Sequence, residues 1–468
     1  MSDEKDPQKA ALIKAVLASI DDATALSRMK TLGFWPAHEP VPSDPPGEIV
    51  ERAQLDAELA TLVKIAGDGE KPEKALQRER IRRWKESRER RKAKKAERVA
   101  EAKQRAEAWR AQRAQRLVYA GLGVSAGLQD VESDVAALEA GGLPIWRDAR
   151  DVASTLGISI AKLRWLTFHR RGATLVHYHR YGIPKKTGGI RAISAPKPAL
   201  ADAQQKVQSL VLQRIAPSDE AHGFVRERSV VSNARPHVGR AVVVNLDLRD
   251  FFPTISFRRV KGLFAKLGYS EQVATVLALL CTEPPRVPAE LDGQRYHVAL
   301  GARVLPQGAC TSPAITNLIC RRLDARLRGI ARALGFTYTR YADDLTFSGD
   351  DPAKLASLFG MVRKVIATEG FAEHEGKTRV MRRASRQEVT GVVVNRAVRL
   401  PRDEKRALRA LLYNCARFGM ESQNRDGRPS FASYLRGRVA WAVMVEPALG
   451  PRLFPALERA LAGRRSDL

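Results

Sequence analysis

The chain has 468 residues, is 44% hydrophobic, and carries 80 Lys plus Arg against 52 Asp plus Glu, a net charge of +28. That length suits about three domains, the apolar content excludes wholesale disorder, and the charge points to polyanionic partners, nucleic acid before anionic membrane. Four cysteines (Cys281, Cys310, Cys320, Cys415) are too few and too scattered for a disulfide framework or a zinc site. They read as reduced thiols of a cytoplasmic protein. The N-terminal MSDEKDPQKA is acidic and polar, unlike a signal peptide. No apolar run approaches the ~18 residues of a membrane span, so no membrane association is expected.

Charge is distributed unevenly. Residues 1–70 carry 7 basic and 13 acidic side chains, whereas residues 71–118 carry 19 and 7. The apolar spacing over 8–32 predicts a helix, the Pro-rich stretch from Trp35 to Gly47 ends it, and 48–66 predicts a second amphipathic helix. From Ala75 to Leu117 no Gly or Pro occurs, and strong helix formers predict one long helix, polar nearly all round. Two readings of it stand: a solvated spacer held by i,i+4 charge pairs, or an RNA-contacting arm with Trp84 and Trp109 available for stacking. Gly121 to Gly127 reads as a flexible joint. These features define an acidic helical segment over 1–70 and a basic helix with joint over 71–142.

From Leu143 the pattern becomes mixed α and β. VASTLGISIAKLRWLTF predicts two short helices around a turn, and HYHRYGIPKKTGGIRAIS a hairpin. PALADAQQKVQSLVLQRI predicts an amphipathic helix, and AVVVNLDL an apolar strand ending in acid. VLPQGACTSPAITNLICRRLDARLRGIARAL predicts a turn feeding a long helix, and FTYTRYADDLTFSG a hairpin with two Asp at its tip. LASLFGMVRKVIATEG predicts a helix, EVTGVVVN a short strand, and the chain beyond Leu400 is expected to be mostly helical.

Three acids stand out by position. Asp247 closes the strand VVVNLD, and Asp343 and Asp344 sit together at the hairpin tip. Clustered carboxylates repel unless a cation neutralises them, and carboxylate oxygens are the ligands Mg²⁺ prefers. Two such ions about 3.5–4 Å apart are the apparatus of in-line phosphoryl transfer. An Asp-Asp pair alone is as readily an ordinary turn; Asp247 in its strand context strengthens the metal reading.

These residues resemble a known family. YADD (341–344) is similar to the catalytic box of reverse transcriptases, NLDLRDFF (245–252) to their first catalytic strand, LPQGACTSPAITN (305–317) to the segment that positions template and nucleotide, and IPKKTGGIRAIS (183–194) to the fingers hairpin. All four occur in the family's order. NARPH (233–237) and VTG (389–391) resemble elements of the retron reverse transcriptases in particular. The resemblance spans residues 143–468 and leaves 1–142 open.

The resemblance implies an α+β right-hand polymerase with an antiparallel palm sheet and a mainly helical N-terminal extension: fingers over 143–240, palm over 241–395 and a helical thumb over 396–468. It implies that Asp247, Asp343 and Asp344, with the Leu248 carbonyl, hold two Mg²⁺ ions. Phe252 falls at the steric gate against a ribose 2′-OH. Arg191, with Lys185 or Lys186, would pair with the triphosphate. Gln307 and Gly308 would let the backbone approach the incoming base pair, and Lys377 would protonate the leaving pyrophosphate. Asn233, His237, Thr390 and Gly391 are implied in cognate-RNA recognition or palm support, and Arg402, Lys405, Arg406 and Arg409 form a basic thumb surface for RNA.

For a retron enzyme the implied partners are its own structured non-coding RNA as template and primer, dNTPs and the RNA–DNA hybrid product, with a host RNase H and an effector protein besides. Priming from an internal guanosine 2′-OH and a role in phage defence come from the family alone. The alternatives are another bacterial reverse transcriptase, group II intron-like, and a non-catalytic RNA-binding scaffold with a polymerase fold.

Overall fold

A computed structural model describes residues 31–32, 38, 46–65, 72–184 and 188–462. The helix expected over 8–32 and the Pro-rich stretch after it fall almost entirely outside these residues. The chain divides into two compact units, 1–105 and 106–468. In the first, the helix Pro46–Ile65 precedes the start of the long helix Pro72–Gln115.

In the second unit the expected joint is corrected. Leu117, Ala120, Val124 and Leu128 are all buried in the main hydrophobic core. Gly121, at φ +117°, lets the chain press against the His169 backbone, and the His169 amide donates to the Ala120 carbonyl. Gly121 serves tight packing there, and the buried Leu117, Ala120, Val124 and Leu128 anchor the segment to the core.

A four-stranded antiparallel sheet forms the centre, in the order β7-β8-β4-β9: Phe336–Tyr341, Asp344–Gly349, Val242–Asp247 and Arg379–Arg382. Side chains along β4 alternate between its two faces. Val242, Val244 and Leu246 enter the main core, which runs through the helices Phe257–Lys266, Glu271–Cys281, Arg321–Leu334 and Leu355–Thr368. Val243 enters a second core, built chiefly by the helices Arg402–Phe418, Phe431–Val445 and Gly450–Ala462. Asp247 shares the face of Val243 and Asn245.

The expected hairpin pairs β2 (Tyr178–Pro184) with β3 (Ile190–Pro196). A three-stranded sheet, β1-β6-β5, joins Gly172–Ala173 to a hairpin of Gln294–Ala299 and Arg286–Leu291; the sequence reading had missed that hairpin. EVTGVVVN is likewise corrected from one strand to a miniature hairpin, β10 (Glu388–Val389) with β11 (Val392–Val393). Thr390 and Gly391, at φ +46° and +83°, make its turn. The helix expected through TSPAITN to Leu334 runs as two, Ser312–Ile319 and Arg321–Leu334, meeting at Cys320. No helix among the described residues is long and apolar enough to cross a membrane.

Candidate active site

The three acids converge. Asp247 and Asp344 are directly opposed partners of the β4–β8 ladder, so their side chains leave the same face of the sheet. Asp343 occupies the two-residue turn between β7 and β8, and its carbonyl accepts from the Leu248 amide at 3.0 Å. Burial and the neighbouring Asp247 charge push the Asp343 carboxyl above the usual range. Burial, then the charges of Asp343 and Asp247, push Asp344 up to about 7. The Lys377 ammonium lies 2.9 and 3.0 Å from the two Asp247 oxygens. Among the described residues no three His, Cys, Asp or Glu side chains already enclose a point as a finished ligand cage; Lys377 occupies that side of Asp247.

A cavity of about 1020 Å³ opens over the acids, lined by Asp247, Asp343, Leu248, Arg191, Phe252, Gln307 and Lys377. Leu248 buries its side chain. Half-buried Phe252 sits against Phe251 and Phe224, with ring centroids 5.7 and 6.3 Å away. The Gln307 carbonyl accepts from the Ser194 amide at 2.8 Å, tying the hairpin to this loop. A Cβ on Gly308, at φ +116°, would fall 2.8 Å from Ile193 Cγ2, so only glycine allows that contact without displacement. Lys185 and Lys186 lie outside the described residues.

The acid-bearing face of the sheet is a polar ladder, and NARPH covers it. His237 is fully buried, with Nδ1 2.6 Å from Ser348 Oγ and Nε2 2.8 Å from Thr339 Oγ1. Burial holds its pKa down to about 3, so the ring is neutral. Asn233, also buried, donates to Thr390 Oγ1 at 3.4 Å. Direct RNA contact by Asn233 and His237 is therefore corrected to support of the sheet: neither reaches solvent. Half-buried Thr390 is engaged in the same support, beside exposed Gly391. In the C-terminal helices Arg402, Arg406 and Arg409 are exposed, while Lys405 pairs with Glu446 at 3.1 Å and is turned inward.

Four positioning residues escaped the sequence reading. Ala342, the first turn residue, has φ +58°, a region that penalises a side chain. Arg340 holds the turn from behind, donating to the Ala342 carbonyl at 3.2 Å and Asn317 Oδ1 at 3.0 Å, with Asp324 as its buried counter-ion. Asn317 Nδ2 donates to the Gly223 carbonyl at 2.9 Å. A Cβ on Gly223 would lie 2.5 Å from the Ala342 nitrogen. The one available signal was an Arg three residues before the first acid of the predicted tip, on a strand otherwise destined for the interior.

This fold and this cleft are those of a template-directed polymerase. Residues 183–394 match the family described as reverse transcriptase (RNA-dependent DNA polymerase). The chain is 45% identical to the Retron Mx65 reverse transcriptase of Myxococcus xanthus, over 70% of this chain and 75% of that protein. It is 45% identical to the Retron Mx162 enzyme of the same organism over 66% of each chain, and 29% identical to the Retron Ec86 enzyme of Escherichia coli over 68% and 91%. The chain belongs to the retron reverse transcriptases and is an RNA-directed DNA polymerase. That membership sets aside the group II intron-like and scaffold readings.

Proposed function

We propose that this enzyme copies part of a cognate structured non-coding RNA into single-stranded DNA. Synthesis starts from an internal guanosine 2′-OH and leaves a branched RNA-linked product; it takes place in the cytoplasm and serves phage defence through a separate effector. Residues 143–240 act as fingers, 241–395 as palm and 396–468 as thumb. A host RNase H trims the RNA–DNA hybrid. The observation carrying the polymerase reading is the opposition of Asp247 to Asp344 beneath the cavity that Asp343 also lines.

The donor set fits a pair of divalent cations. All donors are hard oxygens, and two of the carboxyls are held above their usual range by burial and by neighbouring carboxylate charge, Asp247 for Asp343 and both Asp343 and Asp247 for Asp344, the electrostatic deficit that a cation relieves. Asp247, Asp343 and Asp344, with the Leu248 carbonyl, would hold two Mg²⁺. Bound there, the ions supply activation of the attacking hydroxyl and charge neutralisation on the triphosphate. Arg191 with Lys185 or Lys186 clamps the phosphates, Gln307 and Gly308 bed the nascent base pair, and Phe252 excludes the ribonucleotide hydroxyl. Lys377 gives a proton to the departing diphosphate. Arg402, Arg406 and Arg409 lie along the RNA backbone.

The test is primer extension on an RNA template with dNTPs and Mg²⁺. Asp343→Asn combined with Asp344→Asn abolishes extension; wild-type rates in that variant would end the reading. Sequencing the product of the full chain with its own RNA locates the branch.

A further inference from the structure

The long helix carries an asymmetry that the polymerase reading leaves unused. At 100° per residue, Glu79, Glu86, Glu89, Glu97 and Glu101 fall within an arc of about 120°. The opposite half of the surface, from Arg80 to Arg105, bears no acid. Arg80, Arg88, Arg91, Lys95 and Arg98 cluster there around Trp84, and every one of the six side chains is exposed. Trp84 is 60% exposed, and the Arg88 guanidinium lies over its ring at 5.2 Å.

The ion pairs of this segment lie elsewhere: Arg82 and Arg83 with Glu79, Arg82 with Glu86, Lys92 with Glu89, and Arg105 with Glu101. Among the described residues none of the five clustered cations has an acidic partner. A spacer needing only solubility and i,i+4 support would interleave the two signs round the helix. Here the acids are segregated to one side, and five uncompensated cations flank an open indole over about 27 Å of helix.

We propose that this face is an RNA-binding surface additional to the polymerase cleft. The cations track phosphates and Trp84 stacks on an unpaired base, the pairing of charge and aromatic that single-stranded segments select. An anionic membrane fits less well, because the helix has no continuous apolar face to bury at a bilayer surface. An acidic protein would satisfy the cations and leave the indole without a role.

The test uses the full chain and a fluorescein-labelled synthetic RNA stem-loop with single-stranded flanks, titrated across a KCl series. The variant R80Q/R88Q/R91Q/K95Q/R98Q should lower the slope of log Kd against log salt by about 3 to 4, because five fewer phosphates release counterions. Gln is itself a good helix former, and far-UV circular dichroism checks the helix. R80K/R88K/R91K/R98K, which keeps the charge, should keep the wild-type slope. Trp84→Ala should weaken binding about ten-fold at fixed salt with the slope unchanged. Primer extension on a short pre-annealed duplex should be untouched in all three, which separates this surface from the polymerase site. A wild-type slope in the five-fold Gln variant overturns the proposal. So does a variant that loses only its binding to phosphatidylserine vesicles, which would make the face a membrane contact.

Discussion

The Arg340 guanidinium and the Asp324 carboxylate meet in a two-pronged ion pair, 2.8 and 2.7 Å, with neither side chain exposed. Tyr338 and Ser218 add hydroxyl donors to the same carboxylate. Removing one member strands the other in the interior, which costs about 3–5 kcal/mol. Arg340→Leu should therefore lose about that much stability in urea denaturation and slow primer extension further, because the Ala342 carbonyl loses its donor. Arg340→Lys keeps the charge without the fork and should fall between. A loss below about 1 kcal/mol in Arg340→Leu would show that the pair does not support the turn.

Gly223 is a steric requirement of the same turn. Its replacement by Ala drives a methyl against the Ala342 nitrogen, and backbone cannot yield as a side-chain end can. Gly223→Ala should cost about 1–3 kcal/mol and lower kcat with little change in dNTP KM, since the acids move while the cleft wall stays. Unaltered single-turnover rates would contradict this.

Stability in EDTA should depend on pH through Asp344. Its folded pKa, about 7, exceeds its ordinary 3.8. The folded state thus binds the proton more tightly than the unfolded chain. The contribution is complete below about pH 4 and is lost as pH rises towards 7, by at most about 4 kcal/mol. His237, held down at about 3 from 6.5, works in the opposite sense, losing stability as pH falls below 6.5. The difference between wild type and Asp344→Asn isolates the carboxylate. Its melting-temperature gap should favour Asn increasingly from pH 5 to 7, and Mn²⁺ or Mg²⁺ should narrow it. A pH-independent gap would be inconsistent with the elevated carboxyl.

His237→Ala separates support from RNA contact. Deleting the ring leaves the Ser348 and Thr339 hydroxyls buried without it, a loss of about 2–4 kcal/mol. The salt slope of RNA binding should not move. A reduced slope at wild-type stability would restore direct contact.

Phe252→Ala should open the cleft to the 2′-OH. Incorporation of rNTP relative to dNTP should rise at least about ten-fold, the scale of one removed steric contact. An unchanged ratio would leave Phe252 as packing for Phe251 and Phe224.

What the sequence reveals here follows from how local each signal is. The acids of β4 and of the β7–β8 tip are legible because a strand pattern and a tight turn fix their positions within a few residues. The PQG loop and the hairpin after Ile183 are legible for the same reason. For Asn233 and His237 the resemblance leaves RNA recognition and palm support side by side, and sequence cannot choose between them because their hydroxyl partners lie more than a hundred residues downstream. The Arg340–Asn317–Gly223 chain has the same difficulty, joining three separate segments. The hairpin Arg286–Ala299 escapes because both of its faces are largely exposed, so no strong apolar alternation announces it. The glycine run at 121–127 misleads in the other direction: Gly121 marks backbone squeezed against the His169 backbone, which composition cannot distinguish from slack.

One strand divides the interior. Val242 and Val244 belong to one hydrophobic compartment and Val243 to the other, so β4 is a party wall with a carboxylate at its end. Through Val243 the Asp247 end of the sheet therefore shares one hydrophobic compartment with the C-terminal helices.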